Sequence, residues 1–124
     1  MRTLTSHKLA GLNDALEITV LDEPGHGGAC HEYEIIAMNE DGNGPIQKTK
    51  IHFQNGPIKE HGVNGISQEA LLAIVIDRLT CFQAGPFSSG DNFAALQSCM
   101  DAMTSLQRRT EDRLARGVEG TSAQ

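Results

Sequence analysis

The chain has 124 residues, 39% apolar and 21% charged, a usage that excludes wholesale disorder and suits one domain, 1–124, able to fold without disulfide or metal staples. Its formal net charge of −6 argues against a protein that coats DNA or RNA, which normally carries a basic surplus, but leaves room for a local basic pocket. The longest near-apolar run, Ala70 to Ile76, is seven residues against the roughly twenty of a membrane span, and no basic segment followed by an apolar core opens the chain, so neither a span nor a secretory leader is expected.

Residues 1–15 carry little signal. Leu16, Ile18 and Val20 alternate with Glu17 and Thr19, the period of a strand. Asp22 to Gly28 reads as a loop. Tyr33 to Met38 is a second strand, and Asp41-Gly42-Asn43-Gly44-Pro45 is a strong turn into a third, Ile46 to Gln54. Lys48, Lys50 and His52 interleave there with Thr49, Ile51 and Phe53, so the meander is antiparallel and half exposed. Asn55-Gly56-Pro57 ends it, and Val63-Asn64-Gly65 is another turn. From Ser67, a plausible N-cap, the period changes. Ala70 to Phe82 is apolar almost all round, as in a helix buried on more than one side. Gly85-Pro86 stops it, with Gly85 suited to a left-handed cap. A longer helix is expected from about Asp91 to Arg116, with Phe93, Leu96, Met100, Met103 and Leu114 spaced as a stripe and Gly117 as its end. The tail from Thr121 to Gln124 is expected to fray. The layout is α+β: an antiparallel β-meander (1–66) followed by an antiparallel helical hairpin (67–117).

Four of the six arginines fall within nine residues: Arg108, Arg109, Arg113 and Arg116. Arg109, Arg113 and Arg116 share a sector of about 60° on a helix. They read either as a solvated face balanced by Glu111 and Asp112 or as a phosphate clamp, since a guanidinium fork matches phosphate oxygens. On that polar helix end, truncating an arginine is expected to cost little stability. Phe82 and Phe87, two of only five aromatics, lie at the corner between the helices, with Asn92 just beyond. They either close the core or form a base-stacking platform with Asn92 as a hydrogen-bonding partner. Asn92 and Arg109 lie 17 residues apart on one helix, about 25 Å, so one chain cannot bring both to one small ligand. Two antiparallel helices from two chains can, and a shared pocket therefore implies a dimer.

No catalytic constellation emerges. Cys30, Cys81 and Cys99 are an odd number without C-x-x-C spacing, as expected of reduced thiols in a cytosolic protein. The five histidines, His7, His26, His31, His52 and His61, form no H-x-x-H or H-x-x-x-H pair, and His26, Cys30 and His31 sit in a glycine-rich loop where a metal site is not expected. Walker A and G-x-S-x-G motifs are absent. A binding protein is expected rather than an enzyme, with no cofactor.

From His52 to Thr121 a series of motifs runs in order: Phe53-Gln54-Asn55-Gly56-Pro57-Ile58-Lys59-Glu60, Gly62-Val63-Asn64-Gly65, Glu69-Ala70-Leu71-Leu72-Ala73-Ile74-Val75, Phe82-Gln83-x-Gly85-Pro86-Phe87, Asn92-x-x-Ala95-Leu96 and Arg113-x-Ala115-Arg116-Gly117-Val118-Glu119-Gly120-Thr121. The series resembles the first Thoeris anti-defence family of bacteriophages. That resemblance implies a sponge, working in the cytoplasm of the infected bacterial host, that sequesters without cleaving the cyclic ADP-ribose isomer (glycocyclic ADP-ribose) made by TIR-domain proteins. It implies that some members also bind cyclic di- and trinucleotides of the CBASS system. It further implies a homo-oligomer, dimer or hexamer, with pockets shared between chains. Phe82 would pack on the adenine, Asn92 would hydrogen-bond, and Arg109 and Arg113 of the partner chain would hold the pyrophosphate, with Phe87 and Arg116 alongside. Lys59, beside the glycine-rich turns, is the candidate for a separate cyclic-nucleotide site. Two other classes stay open: an enzyme degrading a cyclic nucleotide signal, and a structural assembly protein.

Overall fold

Alternation and turn chemistry build the first half of the molecule. The structure, a computed structural model, describes residues 1–122. Four strands, β1 (Arg2–Leu4), β2 (Leu16–Val20), β3 (Glu32–Met38) and β4 (Pro45–His52), form one sheet in the order β1-β2-β3-β4. Every neighbouring pair is antiparallel. The register sets Ile18 opposite Ile35 and Val20 opposite Tyr33, which in turn faces Ile51. One face is therefore apolar. The other carries Glu34 opposite Lys50 and Glu32 opposite His52, the latter pair joined at 3.1 Å. Val20 is fully buried, and the Tyr33 and Phe53 rings meet edge to face with centroids 5.6 Å apart.

Side chains close the loops of this unit. The Asp22 carboxylate accepts from the His31 amide at 2.9 Å and the Glu32 amide at 3.1 Å. The His31 ring donates through Nε2 to the His26 carbonyl at 3.1 Å. After β4 the chain passes through a short helix, α1 (Ile58–His61). It then returns so that Ile66 bonds to both sides of Phe53: its amide donates to the His52 carbonyl and its carbonyl accepts from the Gln54 amide. The Gln54 side chain donates to the carbonyls of Gly56 and Gly62 and accepts from the Asn64 amide. Asn64 in turn accepts from the Asn55 amide and donates to the Asn55 carbonyl. The glycine-rich motifs of 54–65 thus have a structural role: they knit one loop.

Two helices follow, α2 (Gln68–Ala84) and α3 (Gly90–Ala115), packed on each other as an antiparallel hairpin. Ser67 caps α2 by accepting from the Ala70 amide, and Ser89 caps α3 by accepting from the Asn92 amide. The α3 helix is 26 residues long against 17 for α2. Its last nine residues, about 13 Å, therefore exceed what α2 can flank. The molecule divides into two compact units, residues 1–66 and a second that begins at Ser67. The architecture is α+β, a four-stranded antiparallel sheet followed by a helical hairpin.

Several local expectations are corrected. Residues 2–4 form a strand because β2 offers its edge; three residues are too few to show a period. The third expected strand starts one residue earlier, at Pro45, and ends at His52: beyond it the Phe53 amide still donates to the His31 carbonyl, but the Gln54 amide turns to the Ile66 carbonyl. Gly85 is extended (φ −114, ψ −166) and not left-handed. No residue of α2 is buried, and Ile74 is 59% exposed. Thr121 is not frayed: its hydroxyl donates to the Val118 carbonyl, and its own carbonyl accepts from Arg113. Ala123 and Gln124 lie outside the described residues.

Candidate functional site

The corner between α2 and α3 is built by two side chains, one reaching forward and one back. Gln83, in the last turn of α2, accepts from the Ser89 amide at 2.9 Å. Asn92, in the first turn of α3, donates through Nδ2 to the Phe87 carbonyl at 3.2 Å. Together these fix the five-residue link 85–89 without a core of its own. Phe87 is left 72% exposed and Phe82 39%. The Arg78 guanidinium lies 5.4 Å from the centre of the Phe82 ring, an exposed cation–π contact worth about 0.5–1 kcal/mol. The corner therefore presents two accessible rings, an amide and a cation.

The arginine stripe lies at the other end of α3, which runs unbroken between them. Asn92 and Arg109 are about 25 Å apart along this helix. The three arginines of the stripe are not equivalent. Arg109 is exposed, and no hydrogen bond or ion pair engages it among the described residues. Arg116 is paired with Asp112 at 3.1 Å on the exposed surface, as expected of a solvated face. Arg113 turns back on its own chain. Its Nε donates to Glu119 Oε2 at 3.0 Å, and Nη2 donates to the carbonyls of Val118 and Thr121 at 3.0 and 3.1 Å. Its side chain is only 17% exposed. Arg113 thus does not sit on a featureless polar helix end; truncating it removes the ties of the C-terminal turn.

The glycine stop explains how Glu119 arrives. Gly117 is left-handed (φ 72), its amide donates to the Leu114 carbonyl, and the Val118 amide donates to the Arg113 carbonyl. This is the double-bonded helix end that a glycine after the C-cap permits, and it folds 118–121 back beside Arg113. Sequence reasoning missed Glu119, Arg78, Gln83 and Ser89. Arg78 was findable, being four residues before Phe82 and so on its face of the helix. Glu119 was not, because its partner is set by a turn and not by a period.

Lys59 lies in the other unit, exposed on the four-residue α1. An open depression in the sheet unit is lined by Asn13, Asp14, Asn39 and Glu40 with Leu12 and Leu16; two carboxylates and no cation suit a phosphate poorly. Cys30 is buried, with Arg2 Nη2 at 3.8 Å from its sulfur, while Cys81 is exposed and Cys99 half-buried. Among the described residues no three His, Cys, Asp or Glu side chains converge as a metal cage. No described helix is long and apolar enough to cross a membrane.

Fold and site together define a small α+β protein that offers rings and an amide at one end of a long helix and guanidinium groups at the other. No family model matches the chain. Over 71 residues, 57% of this chain, it is 45% identical to Thoeris anti-defense 1 of Bacillus phage SBSphiJ7. The match covers 50% of that protein, so the chain spans about half the length of the curated relative it matches. The chain is thus similar to a Thoeris anti-defence protein over that stretch.

Proposed function

We propose that this chain is a phage anti-defence protein directed against the Thoeris system, and that it acts by sequestering a cyclic ADP-ribose isomer without cleaving it. The observation that carries the reading is the division of recognition groups along α3. The exposed rings of Phe82 and Phe87 and the Asn92 amide suit an adenine and a ribose. Arg109, exposed and unengaged, suits a pyrophosphate. Because about 25 Å separates them on one helix, the pocket is completed by a second copy of the chain, with Asn92 of one chain facing Arg109 of the other. An interface pocket encloses a small ligand on all sides, which favours tight retention over turnover. Binding of CBASS cyclic di- and trinucleotides belongs to the same reading, with Lys59 as the group to test for a separate site.

The test is to incubate protein with the cyclic ADP-ribose isomer, remove free nucleotide, denature the protein and analyse what is released. Intact nucleotide in near-stoichiometric amount is the expected result. Recovery of a linear or hydrolysed product makes the chain an enzyme, and failure to deplete the nucleotide leaves an assembly role.

A further inference from the structure

We infer that Glu119 is a built-in competitor for the Arg113 guanidinium: its carboxylate holds the place on the fork that an anionic ligand takes over on binding. The inference rests on the reading of the hairpin as a site for a pyrophosphate-bearing nucleotide. Its observations all lie in the helical unit. Gly117 turns the chain back, Glu119 Oε2 accepts from Arg113 Nε at 3.0 Å, and the pair is largely withdrawn from water, the two side chains being 17% and 33% exposed. The neighbouring Arg116–Asp112 pair on the same helix is 47% and 65% exposed. Arg113 is thus the arginine of the stripe that has been neutralised inside the fold.

A carboxylate and a phosphate offer a guanidinium the same kind of oxygen acceptors. An anion reaching Arg113 Nε therefore has to displace Glu119, and the apparent affinity of any anion is lowered by that exchange. Arg109 lies one turn earlier on the same face with no ion pair among the described residues. A diphosphate that meets Arg109 with one phosphate gains enough to displace Glu119 with the other; a single phosphate or chloride at Arg113 does not. Glu119 is a positioning residue that sets selectivity for diphosphates and acts through Arg113.

The test compares the wild-type protein with Glu119→Gln by titration calorimetry, using inorganic pyrophosphate as probe and orthophosphate as control. Glutamine keeps an acceptor for Nε, and the two carbonyl bonds to Arg113 remain, so the variant keeps its fold; a melting curve checks this. Glu119→Gln is expected to bind pyrophosphate about three- to fivefold more tightly, the range of a partly exposed ion pair converted to affinity. The preference of the wild type for pyrophosphate over orthophosphate is expected to narrow in the variant. Addition of pyrophosphate to the wild type is expected to speed hydrogen exchange at the amides of 118–121. Equal or weaker binding by Glu119→Gln, or no pyrophosphate binding by either protein, overturns the inference; a purely structural role for Glu119 predicts the former. The same titration with the cyclic ADP-ribose isomer separates the two claims. If the wild type retains that nucleotide while the pyrophosphate gain is absent, the inference falls and the functional reading stands. If the gain is present and the nucleotide is not retained, the functional reading falls.

Discussion

Arg109 and Arg113 are one helical turn apart and share a face, yet they answer to different forces. Arg109 has nothing to lose in the folded chain: it is exposed and unengaged among the described residues. Arg109→Ala should leave the melting temperature within about three degrees of wild type, since exposed substitutions away from special contacts usually stay within about 0.5 kcal/mol. It should weaken nucleotide binding by roughly ten- to a hundredfold, the loss of one charge-assisted contact of about 1.5–3 kcal/mol. Arg113→Ala removes an ion pair and two carbonyl bonds at once. It should lower the melting temperature by several degrees, in keeping with a loss of about 1–3 kcal/mol, and weaken binding as well. A thermal melt beside a titration for each variant checks the pair of predictions; equal melting temperatures for the two would return Arg113 to the solvated face. The stripe itself was legible from spacing, because helical periodicity puts positions 109, 113 and 116 in one sector. What Arg113 touches was not, because it depends on where a left-handed glycine sends the next four residues.

At the scale of elements, the strands and helices that announce themselves by period are the ones that appear. β2, β3 and most of β4 follow from strand patterning, α2 from its Ser67 cap and apolar run, and α3 from apolar spacing and its glycine stop. β1 and α1 are held by what they pair with or lie between, and no window of three or four residues carries such information. Loops divide in the same way. The turn at Val63-Asn64-Gly65 was legible, but the reason for its last glycine is the close approach of another segment: a Cβ on Gly65 would stand 2.5 Å from the Phe53 carbonyl carbon and 2.6 Å from the His52 oxygen. Gly65→Ala should therefore part Ile66 from Phe53 and cost about 1–3 kcal/mol, the usual penalty for forcing atoms into a filled space. Faster hydrogen exchange at the Gln54 and Ile66 amides is the measurement. The 22–32 loop makes a complementary case through charge. The amide of His31 donates to the Asp22 carboxylate and is the main reason its pKa lies below the usual aspartate value; burial opposes this, and the Glu32 amide adds a smaller lowering. A lowered folded-state pKa stabilises the fold above the unfolded value of about 3.9, and that contribution is lost as pH falls through the lowered value. Asp22→Asn should be less stable than wild type near neutral pH, with the difference shrinking in acid; thermal melts at about pH 7 and about pH 2 decide it, and a constant difference refutes the assignment.

For the whole molecule the question is what completes a chain whose proposed recognition groups stand near opposite ends of one helix. The hairpin also leaves Ile74, Val75, Phe93 and Met100 exposed by 59%, 43%, 60% and 46%, apolar surface of the kind that a second copy covers. The midpoint between positions 92 and 109 falls at Met100 and Asp101. A twofold axis there would set Asn92 of each chain across from Arg109 of the other. Sedimentation at micromolar concentration should give at least a dimer, and a 13.3 kDa monomer would exclude the arrangement. The stronger test uses two variants that each fail to bind, Asn92→Ala and Arg109→Ala, co-expressed so that mixed dimers form. In a mixed dimer one pocket combines the intact corner of the Arg109→Ala chain with the intact arginine of the Asn92→Ala chain and is wild type; the opposite pocket carries both lesions. Random pairing makes about half the dimers mixed, each with one good pocket of two, so about a quarter of wild-type capacity should return. A pocket contained within one chain predicts no recovery at all, and the helix rise argues against it, because no bend in α3 shortens the roughly 25 Å between the two side chains. Isolating the mixed dimers with two different affinity tags before titration removes the parent proteins from the measurement. In that sample the expected stoichiometry is one nucleotide per dimer, at wild-type affinity, and a mixed dimer that binds none refutes the shared pocket.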